Sequence, residues 1–415
     1  MISAGSVFAG SIAFPMTPND IDRLRAGAAE IVPEEGLAAK LGLGRPLRVK
    51  LGLDPTAAEV TLGWAVVLRK LRQFQDAGHI AILIVGDFTA RVGDPSGKSE
   101  TRPRLEKEVV KEYSDRLLAQ FGRILSPERL EIRYNSEWLE LLDMEGVLRL
   151  TASYTVARML ERDDFAKRYR AGRPISIMEF LYPLLQGMDS VAVEADIELG
   201  GSDQKFNLLV GRELQRDRGQ EPQVALTMPL LEGIDGVQKM GQSLGNYVGI
   251  EEPPDDMFGK LMRIPDGLIG KYLLLCTDVG PDEAARVEQG IAVSSSLAVQ
   301  EKRRLAREIV DLYHGPGAGA AAEDRFNAVH RDHRIPDLPD TPIPEGALRG
   351  GKVWLPRLLS ALGLVSSNAE ARRAIEQGGV RLAGQPVTDP DLELPVEELR
   401  GRVIQIGRRK FVRLV

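Results

Sequence analysis

The sequence predicts an α/β protein: a doubly wound parallel sheet, then a helical domain, then a small α+β domain. Three observations carry this. Strand-like and helix-like segments alternate up to about residue 250, the arrangement that builds parallel sheets covered by helices. Ile80 to Val85 is a continuous apolar run between Gly78-His79 and Gly86, as in a central parallel strand buried on both faces. From Pro253 to about His314 the pattern becomes purely helical.

In order along the chain, Arg48 to Leu53 reads as a short buried strand. Asp54-Pro55-Thr56 then turns sharply, because Pro fixes φ and Asp or Thr can bond the local backbone. Gly63 to Asp76 reads as a helix with Val67, Leu71 and Phe74 at i, i+4 and i+7 on its apolar side, Leu68 beside them, and Gly78 as the stop. A strand, a tight turn and a helix beginning at glycine bring backbone N–H groups close to phosphate, which predicts a nucleotide site. Glu106 to Phe121 and Asp203 to Arg216 are further helices; Glu131 to Tyr134, Ile197 to Leu199 and Val224 to Met228 are further strands. Ile175 to Ala195 is apolar on most sides of a helix and should be deeply buried. In the helical stretch, Leu305, Ile309 and Leu312 turn inward from a charged helix that ends at Gly315 to Gly319. Ile335 to Pro344 holds Pro336, Pro339, Pro342 and Pro344, a semi-rigid linker. After Gly350-Gly351 come a helix from Val353 to Leu362, a helix from Asn368 to Gln377, and short strands. The boundaries read from this pattern are 1–250, 251–330, 331–350 for the linker, and 351–415.

The 415 residues are enough for two or three domains, and 43% hydrophobic with 27% charged content is that of an ordinary globular chain. No run of 18 apolar residues exists and Met1 to Met16 has no basic start, so neither a membrane span nor a signal peptide is expected. The single cysteine, Cys276, leaves no internal disulfide and fits the cytoplasm. Of the histidines, only His330 and His333 are close and no cysteine is near them, so no bound metal is expected, nor an organic cofactor. Charge is uneven: from Arg349 to Val415 there are 12 Lys/Arg against 7 Asp/Glu, a local +5 that leaves −11 on the rest of a −6 chain. A basic tail on an acidic body suggests that the tail meets phosphate; a small domain that is basic by chance is the plainer alternative.

The run Leu51-Gly52-Leu53-Asp54-Pro55-Thr56-Ala57-Ala58-Glu59-Val60-Thr61-Leu62-Gly63-Trp64 resembles the first signature of class I aminoacyl-tRNA synthetases, in particular bacterial tyrosyl-tRNA synthetases. In that family the turn is followed by His-x-Gly-His; here only the glycine of Thr61-Leu62-Gly63-Trp64 remains. The resemblance continues through Gly86 to Lys98, Tyr154 to Leu160 and Gly200-Gly201-Ser202-Asp203-Gln204, and covers nearly the whole chain. The second signature, Lys-Met-Ser-Lys-Ser, appears as Lys239-Met240-Gly241-Gln242-Ser243, with glutamine for the second lysine. Ser366 to Arg373 followed by Gly378 to Leu382 resembles the S4 RNA-binding fold. The resemblance implies a Rossmann-like catalytic domain over 1–250, an anticodon-side helical domain over 251–330 and an S4-like domain over 351–415. It also implies a homodimer.

Tyr182, Gln186 and Asp189 stand at i, i+4 and i+7, so one helix face presents all three. The resemblance implies that Asp189 accepts the phenol of L-tyrosine while Tyr182, Gln186 and Asp94 meet its ammonium group. Lys50, Gly52, Asp54 and Gln204 complete that site. A buried helix with a satisfied polar stripe is the alternative. Gly200 and Gly201 allow close backbone approach to a ribose or adenylate, Asp203 could cap a helix or hold ribose hydroxyls, and Met240 joins them. The positions matching the catalytic signatures are Thr56, Thr61, Gly63, Trp64, Lys239, Gln242 and Ser243, acting on ATP with Mg2+ as substrate. Losing one preorganised transition-state donor typically slows chemistry by about 10²–10³. Arg372, Arg373, Arg381, Arg408, Arg409 and Lys410 are the RNA-contact candidates, for tRNA(Tyr) or another structured RNA. Two functions fit: a tyrosine–tRNA ligase, or a divergent paralogue with impaired ATP activation that binds tyrosine, adenylate or RNA in a regulatory or specialised biosynthetic role.

Overall fold

A computed structural model describes residues 18–95, 106–330, 340–407 and 410–415. They fall into two compact units divided between Gly315 and Pro316.

The first unit opens with α1 (Pro18–Arg25), β1 (Glu30–Val32), α2 (Gly36–Leu41), β2 (Arg48–Leu53), α3 (Leu62–Asp76) and β3 (Ile80–Val85). It continues with α4 (Thr89–Val92), α5 (Lys107–Phe121), β4 (Leu130–Tyr134) and four short helices, α6 (Ser136–Leu139), α7 (Met144–Ala152), α8 (Val156–Met159) and α9 (Asp163–Arg170). Then come α10 (Ile177–Ala192), β5 (Ile197–Gly201), α11 (Lys205–Asp217) and β6 (Val224–Met228). The strands make one six-stranded sheet in the order β1-β6-β5-β2-β3-β4. All neighbours are parallel except β1, which pairs antiparallel with β6. The chain builds outward from β2 through β3 to β4 and then returns to the other side of β2. The switch therefore lies between the carboxyl ends of β2 and β5, where a doubly wound sheet leaves a crevice for ligands.

Alternation sets what each strand face meets. Ile82 and Ile84 pack with Val193, Ala195 and Trp138. Lys50 and Glu198 are direct Cα partners in the β2–β5 ladder, so their side chains leave the sheet on the same face. Helix α3 packs on β2, β3 and β5 through buried Leu68, Leu71 and Phe74. Two expectations shift here: Val67 is only half-buried, and the helix starts at Leu62 because the Thr61 hydroxyl caps it by accepting from the Trp64 N–H. Helix α10 begins with a capping box between Ser176 and Glu179. Its Gly187 faces Gly211 of α11, and a Cβ at Gly187 would press into the Leu214 side chain, so the two glycines set how closely these helices approach.

Four helices complete the unit: α12 (Pro254–Leu261), α13 (Ile269–Cys276), α14 (Pro281–Val293) and α15 (Ser295–His314). On α15, Leu305 and Ile309 are buried as expected, but Leu312 is exposed and Val310 and Tyr313 take the inward places. The helix is long enough for its apolar stripe to drift by a residue.

The second unit holds α16 (Ala318–His330), β7 (Asp340–Thr341), β8 (Leu348–Arg349), β9 (Lys352–Trp354), α17 (Leu355–Ala361) and α18 (Asn368–Glu376). It ends with β10 (Val380–Leu382), β11 (Gln385–Pro386), β12 (Glu393–Pro395), α19 (Val396–Leu399), β13 (Val403–Ile406) and β14 (Lys410–Leu414). Two sheets, β11-β10-β13-β14-β7 and β12-β9-β8, close over a core of Val353, Leu358, Leu359, Ile375, Val380, Ile404 and Leu414. Val353 and Trp354 are strand rather than helix: they pair with Leu394 and Glu393, and the helix begins at Leu355 with Pro356 in its first turn. Residues 331–339 of the linker reading, with Pro336 and Pro339, lie outside the described residues. Among the described residues no helix is long and apolar enough to cross a membrane.

Candidate active site

Two chains of hydrogen-bonded side chains meet at the switch point. In the first, Asp54 ends the turn after β2. Its Oδ1 accepts from the Thr89 hydroxyl at 2.7 Å and its Oδ2 from the Tyr182 hydroxyl at 2.9 Å. Gly86 makes room for this, since a Cβ there would overlap both Asp54 Oδ1 and Thr89 Oγ1. The Thr89 oxygen accepts from Asn135 Nδ2 at 2.9 Å, and Asn135 Nδ2 also reaches Asp189 Oδ2 at 3.4 Å. Trp138 Nε1 donates to the other Asp189 oxygen at 2.9 Å. Tyr182, Asp54, Thr89, Asn135, Asp189 and Trp138 are thus one continuous network.

The second chain starts at Asp94, whose Oδ2 accepts from Gln204 Nε2 at 2.9 Å. Asn207 Nδ2 bridges the amide oxygens of Gln204 and Gln186, at 3.1 and 3.0 Å. Gln186 Nε2 then donates to Glu198 Oε1 at 3.1 Å. Lys50 lies beneath, fully buried, its ammonium bonded to Glu198 Oε1 at 2.9 Å, Ser190 Oγ at 2.8 Å and the Gln186 carbonyl at 3.0 Å. An ammonium has three donors, and all three are taken. Lys50 therefore holds Glu198 and Gln186 in place rather than offering a hydrogen to a ligand.

Burial pushes the Asp54 carboxyl up to about 7; the Thr89 hydrogen bond opposes the rise, and the Asp94 charge adds to it. Asp189 is likewise pushed up to about 7 by burial, against the pull of Lys50 and its hydrogen bonds to Trp138 and Asn135. Burial also raises the Tyr182 phenol well above its ordinary value, with Asp54 contributing. A crevice with Asp54, Asp94 and Asp189 around it, and with its lysine already committed, is electrostatically suited to the ammonium of an amino acid.

The nucleotide half joins the two sequence signatures. Thr61 is buried, caps α3 and bridges Gly249, while Trp64 sits half-buried in the first turn. The Leu62 N–H is taken by the Val248 carbonyl at 2.9 Å. The Gly63 N–H points at the Met240 sulfur at 3.3 Å, a weak acceptor that leaves this amide the most available at the helix start. Gln242 Nε2 donates to the Glu59 carbonyl at 2.5 Å, and the Tyr247 hydroxyl to the Glu59 carboxylate at 3.0 Å. Buried Asn246 holds the loop from inside, bonding Asp235 and the Lys239 carbonyl and accepting from the Gly241 N–H. Lys239 pairs with Asp203 at 3.1 Å, just beyond Gly200 and Gly201 at the end of β5. Asp203 caps nothing: the helix after it starts without a side-chain cap, and the carboxylate faces Lys239 instead. Thr56 is half-buried, whereas Gly52 and Ser243 are exposed.

Sequence reasoning missed Thr89, Asn135, Trp138, Ser190, Glu198 and Asn207. Thr89, Asn135 and Trp138 follow the carboxyl ends of β3 and β4, the same positions in the sheet as Asp54 after β2, and that equivalence was the available signal.

In the second unit, Arg372 is held by Asp391 at 2.6 Å, while Arg373 and Arg381 are exposed. Lys410 Nζ donates to the Leu364 carbonyl at 2.7 Å. Hydrogen bonds from Ser366 hold the Glu370 carboxyl below its ordinary value, and the charges of Lys410 and Arg373 add to this, so these two cations share a neighbourhood. Arg408 and Arg409 lie outside the described residues.

Residues 43–331 match the family described as tRNA synthetases class I (W and Y), and residues 353–399 match the S4 domain. The tyrosine–tRNA ligase of Moorella thermoacetica is 55% identical over 395 residues, covering 94% of each chain. The chain belongs to the class I tRNA synthetases, within the tyrosine–tRNA ligase group. The corresponding Geobacter sulfurreducens ligase is 51% identical over 396 residues, 94% of this chain and 97% of that one. Among solved structures, the tyrosyl-tRNA synthetase of Archaeoglobus fulgidus complexed with L-tyrosine superposes with a TM-score of 0.59 at 22% identity, over 74% of this chain and 99% of that one. A truncated mitochondrial tyrosyl-tRNA synthetase from Aspergillus nidulans gives 0.61 at 21%, over 75% and 93%. At such identity these two speak for the fold, which the class I synthetases share.

Proposed function

We propose that this protein is a tyrosine–tRNA ligase that activates L-tyrosine with ATP and passes the tyrosyl group to tRNA(Tyr). The observation that carries the reading is the pair of side-chain networks converging on one crevice at the β2–β5 switch, with Tyr182, Gln186 and Asp189 on one helix face and Asp94 and Gln204 opposite. Near 50% identity to relatives named as tyrosine–tRNA ligases supports it.

In the proposed reaction Asp189 accepts the substrate phenol, and Asp94, Gln186 and Tyr182 take its ammonium. A site built around a hydroxyl rejects phenylalanine, because its own buried polar groups would be left unpaired. The tyrosine carboxylate attacks the α-phosphorus of ATP, which enters with its Mg2+ as substrate. The α–β bridging bond breaks and pyrophosphate leaves. A tRNA ribose hydroxyl then attacks the carbonyl carbon, losing its proton as AMP departs. The groups left to steady the first step are the Gly63 N–H, the Thr56 hydroxyl and the Lys239 ammonium. Thr61, Trp64 and Gln242 supply no charge where the family signatures carry histidines and lysine, so the chemical step is slow for its family. Tyrosine-dependent exchange of pyrophosphate into ATP tests the assignment.

In this reading residues 1–250 carry activation, 251–330 form the anticodon side, and 351–415 contact RNA through Arg373, Arg381 and Lys410. Two copies pair through the segment from the end of β4 to the start of α10, where Leu141, Met144, Leu148, Val156, Tyr169 and Ile177 are all exposed. Leu148→Asp should halve the mass measured by light scattering if this face joins the subunits. A cytoplasmic location fits the single cysteine, Cys276, buried as a free thiol.

A further inference from the structure

We propose that a second ligand site, apart from the tyrosine crevice, binds a small phosphate anion. It is a cleft of about 240 Å³ lined by Arg23, Arg69, Arg72, Arg123, Asp278 and Tyr313. Arg69 and Arg72 lie 8 and 11 residues along α3 from its Thr61 cap, about 12–16 Å down the helix axis from the nucleotide signatures. No residue of the two active-site networks lines it.

Four arginines converge from three segments: Arg23 from α1, Arg69 and Arg72 from one face of α3, and Arg123 from the turn after α5. Against them stand Asp76 and Asp278, which leaves the lining at a formal +2. This is unusual placement, because the chain outside the basic tail carries −11. The carboxylates fix the forks without using them up. Arg69 donates to Asp278 at 2.7 Å, Arg72 Nε to Asp76 at 2.7 Å, and Arg123 pairs with Glu251 at 3.1 Å. Backbone carbonyls take one further donor each from Arg72, at Ile124, and from Arg123, at Tyr313. With five N–H donors per guanidinium, most remain open to a ligand. Among the described residues the Arg23 guanidinium has no hydrogen bond or ion pair at all. A second, independent feature is Tyr313, which is 6% exposed and whose buried hydroxyl has no hydrogen-bond partner. An orphaned hydroxyl of this kind is rare in a native interior.

A tetrahedral oxyanion satisfies this arrangement: several guanidinium forks can each engage two of its oxygens, and its dianionic charge matches the lining. The volume admits inorganic phosphate or pyrophosphate. A phosphodiester of bound RNA has the same chemistry, but a cleft walled by five segments favours the small free anion.

The test is calorimetric titration of the full chain with inorganic phosphate, at ionic strength matched with chloride, for the parent and for Arg23→Gln, Arg69→Gln and Arg123→Gln. Arg23→Gln removes no internal bond and so keeps the test independent of folding; tyrosine affinity, unchanged in each variant, confirms an intact crevice. Lys239→Ala separates the cleft from the nucleotide site. The expected result is phosphate binding that survives Lys239→Ala and weakens about tenfold or more in each arginine variant, the scale of a lost charge-assisted hydrogen bond. Phosphate binding no tighter than chloride, or unaffected by the arginine variants, overturns the proposal. So does loss of tRNA affinity in those variants without phosphate binding in the parent, which would give the arginines to an RNA backbone.

Discussion

The Lys50 ammonium and the Glu198 carboxylate stand 2.9 Å apart, both fully buried, on residues that face each other directly across β2 and β5. The pair fixes the floor of the tyrosine crevice. Removing one member strands the other as an uncompensated buried charge, so Lys50→Met should lower unfolding free energy by about 3–5 kcal/mol. Urea denaturation measures it, and the double replacement Lys50→Met with Glu198→Leu should recover a large part of the loss.

Glu198 also decides which way the Gln186 amide points. Its charge draws Nε2, which leaves Oε1 for Asn207 and for an incoming ammonium. Glu198→Gln, nearly the same size, removes that preference. The expected outcome is a KM for tyrosine raised about tenfold, the scale of one charge-assisted hydrogen bond, with kcat changed far less. Steady-state exchange kinetics separate the two.

Gly86 allows Asp54 and Thr89 to meet. Gly86→Ala should push the Asp54 turn out of position, destabilising the fold by about 1–3 kcal/mol, as overpacking does. It should also weaken tyrosine binding. Thermal unfolding and calorimetry on one sample report both effects.

Asp54 and Asp189 titrate near pH 7 because burial disfavours their anions. The folded chain therefore keeps protons between about pH 4 and 7 that the unfolded chain has released. The stability they contribute is fully present below about pH 4 and is lost as pH rises through about 7. Tyrosine binding runs the other way. The charged Asp189 is the better acceptor for the substrate phenol, and the charged Asp54 holds the Tyr182 hydroxyl beside the ammonium, so affinity should fall by up to about tenfold per pH unit below 7, and Asp54→Asn should flatten that profile.

Much of this was legible in the sequence, for identifiable reasons. The strands β2, β3 and β6 and the helices α3, α5, α10 and α11 follow from apolar runs and helical spacing, and Tyr182, Gln186 and Asp189 share a face because of their separation alone. Other features depend on contacts that no local pattern carries. The three-residue β1 is too short to show alternation, and Val353-Trp354 becomes strand only because β12 pairs with it. Lys50 reads as a ligand until Glu198, 148 residues away, takes its charge. Thr61 reads as a substituted catalytic residue, and the structure shows in addition that it is the cap of α3.

That cap shapes the repair of the nucleotide half. Thr61→His gives up the cap, which costs about 1 kcal/mol of stability. Of the side-chain hydrogen bonds here, Trp64→His and Gln242→Lys give up only the Gln242 tie to Glu59. The latter pair alone should raise the activation rate by about 10²-fold or more, since each restores a transition-state donor.

Whether this protein activates tyrosine is decided by tyrosine-dependent ATP–pyrophosphate exchange by the unaltered protein, with tyrosine binding measured on the same sample. Binding and a slow but tyrosine-specific exchange are expected, abolished by Lys239→Ala and not supported by phenylalanine. Tyrosine binding with no exchange above background would contradict this and make the chain a tyrosine-binding relative of the ligases that no longer activates its amino acid.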